Sequence, residues 1–143
     1  MRVIRYFDDE YTKEEWIQHE ICKNNAQRSL VFKDDLEKIC RDRNIPYKKN
    51  DTKKILLNKI IESGVTYDEL VKQFHIGVNS VVYQSSLGFT KNQVKKLEKD
   101  GILKVVGQEE FLAYSKYFYA SLYDIEQFYN FTEEEIQELK KIK

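Results

Sequence analysis

The amino-acid sequence predicts a mainly α-helical fold that carries one small β-hairpin. The chain of 143 residues holds one proline and five glycines, so few residues interrupt a helix. Four helix starts share one threonine signature, and strand patterns are confined to two short stretches in the second half. Hydrophobic residues make up 41% of the chain, which is too rich for a disordered protein. We therefore expect helices that are joined by short loops around a core.

Each threonine signature has an apolar residue, the threonine, a Glu or Gln three positions later, and a second apolar residue. The threonine side chain can accept a hydrogen bond from the third amide of the helix, and the Glu or Gln can accept one from the threonine amide. The two apolar side chains can then pack together as a hydrophobic staple. We expect helices to begin at Thr12, Thr66, Thr90 and Thr132.

Apolar periodicity places the remaining elements. The first helix should span residues 12–28, and further helices should span about 33–43, 52–63 and 78–86. The narrow apolar stripe of the first helix can pack on the body of the protein or on a second copy of the chain. Residues 102–106 and 117–123 are β-branched or aromatic, and we expect them to pair antiparallel around a connection at 107–116.

The best boundary lies at Gly64, where a helix should end. This boundary gives an N-terminal helical segment at 1–31, a helix-loop-helix at 32–64 and a last unit at 65–143 with an acidic C-terminal helix. Residues 31–65 carry nine Lys/Arg against six Asp/Glu, whereas residues 108–143 carry four against eight. A polyanion should therefore meet the middle of the chain rather than its tail.

Residues 66–123 should run as three helices and two strands, with QVKKLEKDGILKVV at the centre. This order resembles the winged helix-turn-helix fold, in which a recognition helix ends at a glycine and leads into the first wing strand. The later YFYASLYDIEQF is similar to the wing strand and following helix of the MerR and excisionase group. The resemblance implies a DNA-binding unit with helices at 67–74 and 78–85 and a recognition helix at 91–99.

Residues 32–64 resemble the SAP motif, a helix-extended-loop-helix module that is usually associated with DNA. The matching positions are Leu36, Ile39, Ile45, Pro46, Thr52, Lys53, Leu56 and Ile60. The family commonly has a glycine before its lysine, whereas this chain has Asn50 in the loop, and asparagine can adopt the left-handed conformation. Related modules bind proteins or RNA instead.

The expected recognition helix has a basic outward side. At 100° per residue, its apolar residues lie on one side and the other side carries Lys91, Asn92, Lys95, Lys96 and Lys99. The lysines can contact phosphates, and Asn92 and Gln93 can reach base edges in a major groove. The alternative is an ordinary solvated helix face.

A second basic candidate surrounds Tyr47, an aromatic residue that can lie against a sugar or a base. Its charged members are Arg41, Arg43, Lys48, Lys49, Lys53 and Lys54. The helix start at Thr52 can add amide donors for a phosphate. Ordinary solubility is the alternative, since Asp42 and Asp51 dilute the charge. The DNA hypothesis depends on lysines from both candidates converging into one positive surface.

An aromatic stretch near the C-terminus forms the third candidate, with Tyr114, Tyr117, Tyr119 and Tyr123 as its expected interface residues. Tyrosine combines apolar area with a hydrogen-bonding tip, so these residues can form a protein interface or a stacking platform. Alternatively, they close the core. The acidic residues that follow favour a protein partner on this side.

Nothing in the sequence indicates catalysis. His19 and His75 are the only histidines, no nucleophile motif or phosphate-binding glycine loop accompanies them, and His75 should help to end a helix. We expect no catalytic residue, no metal and no cofactor, and we expect Cys22 and Cys40 to be structural thiols. No apolar run is long enough to cross a bilayer, so a cytoplasmic protein is expected.

The leading hypothesis is a non-enzymatic protein that binds double-stranded DNA, such as a small phage or bacterial transcription regulator. The alternative is a protein-binding inhibitor or adaptor, for example a phage anti-defence or anti-CRISPR protein that grips a nuclease. In that case the aromatic and acidic surface would supply the contact. A homodimer is compatible with both hypotheses.

Overall fold

The computed structural model describes residues 2–23 and 31–142 of the chain. Within these ranges the helices and strands follow in the order β1 (Ile4–Tyr6), β2 (Asp9–Tyr11), α1 (Lys13–Cys22), α2 (Lys33–Asp42), α3 (Lys53–Glu62), α4 (Tyr67–Phe74), α5 (Ser80–Leu87), α6 (Lys91–Lys99), β3 (Val105–Ala113), β4 (Lys116–Tyr123), α7 (Ile125–Asn130) and α8 (Glu133–Lys140). The strands form two antiparallel pairs, β1 with β2 and β3 with β4. The predicted mainly α fold with a small β-hairpin is confirmed. None of the helices in the described ranges has the length and apolar character needed to span a membrane.

All four threonine signatures start helices as predicted. At each one the threonine side chain accepts from the N3 amide and the N3 side chain accepts from the threonine amide, which makes a reciprocal capping box. The expected staple also forms at α1, where the rings of Tyr11 and Trp16 lie 5.5 Å apart. The helix ends at Gly64 and His75 are confirmed as well, with both residues at positive φ.

The N-terminal region differs from the prediction in two ways. Residues 4–11 form a hairpin that the sequence analysis missed, with Phe7 at a φ of 56° in its turn. The helix predicted over 12–28 ends at Cys22, because Lys23 has an extended backbone with ψ at 136°. Residues 24–28 of that prediction lie outside the described residues.

The β3–β4 hairpin is longer than predicted. The predicted connection at 107–116 is wrong, because residues 107–113 continue the ladder until Ala113 pairs with Lys116. A two-residue turn of Tyr114 and Ser115 joins the strands, and both residues have positive φ. At the other end, Tyr123 forms a bridge with Val78, just before α5. The backbones approach so closely here that a Cβ on Gly77 would lie 2.5 Å from the Tyr123 carbonyl oxygen.

One connected core joins these elements. Trp16, Tyr83 and Phe128 are its largest fully buried side chains. Trp16 donates from Nε1 to the carbonyl oxygen of Gly77 at 3.0 Å, and the ring of Tyr83 meets Phe128 edge to face at 5.4 Å. Side chains from all three predicted segments belong to this core. The division at residues 31 and 64 stays a prediction.

Candidate nucleic-acid interface

The orientation of helix α6 is set by its buried side chains and by a hydrogen bond to the end of α8. Val94 and Leu97 are buried, which sets the rotation of the helix. Gln93 accepts from the Thr90 amide at 2.8 Å and donates to the carbonyl oxygen of Lys140 at 3.0 Å. The expectation that Gln93 reads base edges is therefore wrong, because both ends of its amide hold α6 in place.

The outward side of α6 forms one wall of a groove against β4. The groove has a volume of about 500 Å³, and Lys91, Lys95 and Lys99 line it. These three lysines follow one another at i, i+4 and i+8, so they form a row about 12 Å long on one helix face. None of the three takes part in an ion pair within residues 2–23 and 31–142.

Asn92 and Lys96 lie farther round the helix, away from β4. Both are absent from the groove lining, and Lys96 forms an ion pair with Asp100 at 3.2 Å. At 100° per residue, Asn92 lies 100° from Lys91 and Lys96 lies 140° from it, whereas Lys95 lies only 40° away. The structure thus splits the predicted basic side into a groove-facing row and a more distant pair.

The one acidic side chain of the groove lining is tied to the opposite strand. Glu98 accepts from the hydroxyl of Tyr123 at 2.6 Å and from Oγ of Ser121 at 3.1 Å. Burial raises the pKa of the Tyr123 phenol, and the bond to Glu98 raises it further. Tyr123 is only 3% exposed, so its assignment to a protein interface is wrong. It is a hydrogen-bond donor in the floor of the groove.

The other interface tyrosines are exposed as predicted. Tyr114 at the hairpin turn is 95% exposed, and Tyr117 and Tyr119 are 63% and 65% exposed. Side chains alternate between the faces of a strand, so Tyr117, Tyr119 and Ser121 share one face of β4. Because Ser121 reaches Glu98 on that face, the tyrosines stand on the side of the hairpin that faces α6.

The structure therefore joins two residue sets that the sequence analysis kept apart. The lysine row belongs to the predicted DNA surface and Tyr119 to the predicted protein interface, yet both line one groove. Ser80 and Ser121 also line the groove, and neither was predicted from the sequence. The alternation of residues 117, 119 and 121 could have placed Ser121 beside the tyrosines, but only the packing of β4 against α6 shows which face they occupy.

The basic loop of the SAP-like segment forms a separate surface. Its side chains Arg41, Arg43, Lys48 and Lys49 are exposed, as is Lys54 on the first turn of α3. Tyr47 is half-buried, and its hydroxyl accepts from Nη1 of Arg41 at 2.9 Å. Lys54 lines a cleft beside His19 and Cys22 of α1 rather than facing the loop.

The turn in this loop differs from the expected one. Asn44, with φ at 59°, has the left-handed backbone, whereas Asn50 was expected to have it. The loop is closed by Asp51, which accepts from the Lys48 amide at 2.9 Å and from Nζ of Lys59 at 2.8 Å. The Lys48 amide, followed by Lys59, holds the pKa of Asp51 below its ordinary value.

Lys53 serves the fold, and its assignment to nucleic-acid binding is wrong. Its Nζ donates to the carbonyl oxygens of Ile21 and Lys23, at 3.3 and 3.1 Å, and also to that of Val31. The last carbonyls of a helix lack partners within the helix, and here the lysine satisfies them at the end of α1. Burial lowers the pKa of Lys53.

The hairpin separates Lys53 from the lysine row. Lys23, whose carbonyl oxygen binds Lys53, sends its ammonium group to Glu109 of β3 at 3.3 Å. Glu109 pairs with Ala120, whereas Tyr119 and Ser121 pair with its neighbours Glu110 and Gln108. Alternation then puts Glu109 on the hairpin face opposite Tyr119 and Ser121. The expected convergence of Lys53 with Lys95 and Lys99 is therefore wrong.

Cys22 and Cys40 are free thiols, and burial raises the pKa of both. The described residues contain no group of three His, Cys, Asp or Glu side chains that could hold a metal ion.

Comparisons of this chain with protein-family models, with curated proteins and with solved structures give no match.

Proposed function

We propose that this chain is a non-enzymatic DNA-binding protein that places α6 in the major groove of duplex DNA. The observation that carries the proposal is the row of Lys91, Lys95 and Lys99, which lines an open groove and has no ion-pair partner among the described residues. Ammonium groups in such a row can replace the cations that surround a phosphate backbone. A helix with its side chains is about 10–12 Å across, which fits a major groove about 12 Å wide.

The order of elements supports the same proposal. Helices α4, α5 and α6 are followed by the β3–β4 hairpin, and Val78 adds a bridge to Tyr123 at its base. This order is the one that the winged helix-turn-helix resemblance implies. The exposed side chains Arg41, Arg43, Lys48 and Lys49 form a second basic surface, for which we propose sequence-independent phosphate contacts. A role as a phage or bacterial regulator rests on the resemblance alone.

Fluorescence anisotropy with a labelled 20-base-pair duplex, read across a salt series, tests the proposal. Each phosphate contact contributes about 0.9 to the slope of log K against log salt, so replacing all three groove lysines by alanine should lower the slope by roughly 2–3. A matched control replaces Lys38, Lys72 and Lys141, which are exposed elsewhere, and changes the net charge equally. The control should keep most of the slope. Absence of binding at low salt, or equal losses in both variants, contradicts the proposal.

A protein partner is the second candidate, favoured by the hairpin turn. Tyr114 is 95% exposed and is held at a φ of 51° that non-glycine residues rarely adopt. Exposed tyrosines are frequent anchors of protein interfaces. Affinity purification from a bacterial lysate, with and without nuclease treatment, separates the candidates. A stoichiometric protein that survives nuclease and is lost with Tyr114→Ala supports the protein partner.

A further inference from the structure

We propose that the groove between α6 and β4 also binds an unpaired nucleotide strand that continues from the duplex, with one base held between Tyr117 and Tyr119. This inference rests on the proposed DNA-binding function and names a more specific substrate, a duplex with a single-stranded extension. It is carried by the spacing of the two residues along β4, by their exposure and by the lysine row on the opposite wall. Tyr119 lines the groove, and Tyr117 lies next to it on the same strand face.

The spacing of the tyrosines suits a base. Residues i and i+2 on one face of an antiparallel strand lie about 6.8 Å apart. Stacked bases repeat about every 3.4 Å along a nucleic-acid strand, so rings that project from residues at twice that spacing can leave room for one base between them. Every base has an aromatic face, and such a contact therefore tolerates any sequence.

The exposure of the rings indicates a partner rather than a core role. Tyr117 and Tyr119 are 63% and 65% exposed, although the strand that carries them is firmly paired with β3. Among the described aromatic residues, no ring contact involves either of them. In contrast, Tyr123 on the same strand is buried against Tyr83 at 5.7 Å. The outer part of β4 thus presents aromatic area that the fold itself does not use.

The opposite wall supplies charge for a phosphate backbone. Lys91, Lys95 and Lys99 run along the groove, and the carboxylate of Glu98 is engaged by Tyr123 and Ser121. One acid remains on the tyrosine face, the exposed Glu110, which pairs with Tyr119 across the hairpin. Grooves that bind single-stranded nucleic acid combine a row of positive charges with aromatic rings on which the bases stack.

The test compares three labelled DNA probes by anisotropy: a blunt 20-base-pair duplex, the same duplex with a six-nucleotide extension, and the six-nucleotide strand placed within a longer single strand. We expect the extended duplex to bind about 5- to 150-fold more tightly than the blunt duplex, the range expected for stacking of one base. The double variant Y117L/Y119L should lose this advantage and keep its affinity for the blunt duplex.

Two further variants make the result specific. Y117F/Y119F retains the rings and should retain the preference for the extended duplex. Tyr114→Leu removes an even more exposed ring from the turn and should leave the preference unchanged. Circular dichroism of each variant checks that the chain is folded, which we expect because the substituted side chains are exposed.

The outcomes separate this inference from the proposed function. Equal affinity for the blunt and extended duplexes overturns the inference and leaves duplex binding intact. A preference that persists in Y117L/Y119L also overturns it. Failure of every probe to bind overturns both proposals. Loss of the preference in Y117L/Y119L alone, with recovery in Y117F/Y119F, supports the inference.

Discussion

Replacing Lys23 by methionine should strongly destabilise the protein, because this lysine neutralises two carboxylates in a buried place. Its ammonium group lies 2.5 Å from Glu20 and 3.3 Å from Glu109. The side chains of Glu20 and Glu109 are only 2% and 11% exposed. Burial disfavours the charge of Lys23, but the two carboxylates more than offset it and raise the pKa of Lys23 above its ordinary value.

The expected loss follows from the two carboxylates that would remain. Removing one partner of a buried ion pair typically costs about 3–5 kcal/mol, because the remaining charge stays desolvated and loses the attraction of that partner. For a chain of this length such a loss lowers Tm by roughly 10–20 °C.

Urea unfolding at pH 7 measures this loss, and the chain provides a matched control. Lys13 is the first residue of α1, the helix that Lys23 follows, and it also bridges two carboxylates, Asp68 at 3.1 Å and Glu126. Their side chains are 69% and 59% exposed, so Lys13→Met should cost no more than about 1 kcal/mol. If Lys23→Met lowers the free energy of unfolding no more than Lys13→Met does, then burial of the Glu20 and Glu109 carboxylates does not make the contacts of Lys23 more important than exposed ion pairs.

Three further predictions concern other parts of the chain. Burial, with Lys23 nearby, lowers the pKa of His19. As the pH falls below about 6.5, the unfolded chain therefore binds a proton before the folded chain does, and the folded state loses stability. His19→Gln should reduce this loss of stability, as measured by urea unfolding between pH 7 and pH 5. Replacing Tyr114 and Ser115 by Asn and Gly should raise the free energy of unfolding by about 1–2 kcal/mol in the same assay, because both residues have positive φ in a two-residue turn. No gain in stability would show that the turn is unstrained. Thr90→Ala removes the cap of α6 and should lower thermal stability by about 1 kcal/mol, whereas an unchanged Tm would contradict a role for the capping box.

Local signals in the sequence predicted helix starts well. Each capping box involves residues within three positions of one another, so its chemistry is complete in the sequence. The N-terminal hairpin was missed because its strands have only three residues each and Phe7 occupies a turn position that usually belongs to glycine. The length of β3 was underestimated because Glu109 and Glu110 interrupt its apolar pattern. Glu109 is buried and forms an ion pair with Lys23, which lies 86 positions away in the sequence. No local sequence pattern can show such a distant contact.

The candidate site was predicted in composition but not in arrangement. Periodicity correctly placed the lysines on the outward side of α6, since the buried positions of a helix fix the rest. It could not show that Lys53 satisfies the carbonyls of α1, because that contact depends on where α1 ends. Nor could it separate Tyr123 from Tyr117, which have the same chemistry and lie on the same strand face. Tyr123 is buried because it lies at the end of β4 next to the core, whereas Tyr117 lies near the hairpin turn and is exposed. Only the packed fold shows this difference.

The two walls of the groove are each held by contacts on the side away from the groove. Gln93 fixes α6 to the end of α8, and the contact between Lys23 and Glu109 fixes β3 to α1 on the hairpin face opposite the tyrosines. A groove whose walls are set in this way loses little conformational freedom when it binds a ligand. Breaking the contact at Lys23 should then release one wall. At a temperature where Lys23→Met is still fully folded, its affinity for a duplex with an extension should fall more than that of Lys13→Met, and equal affinities would show that the hairpin keeps its position without this ion pair.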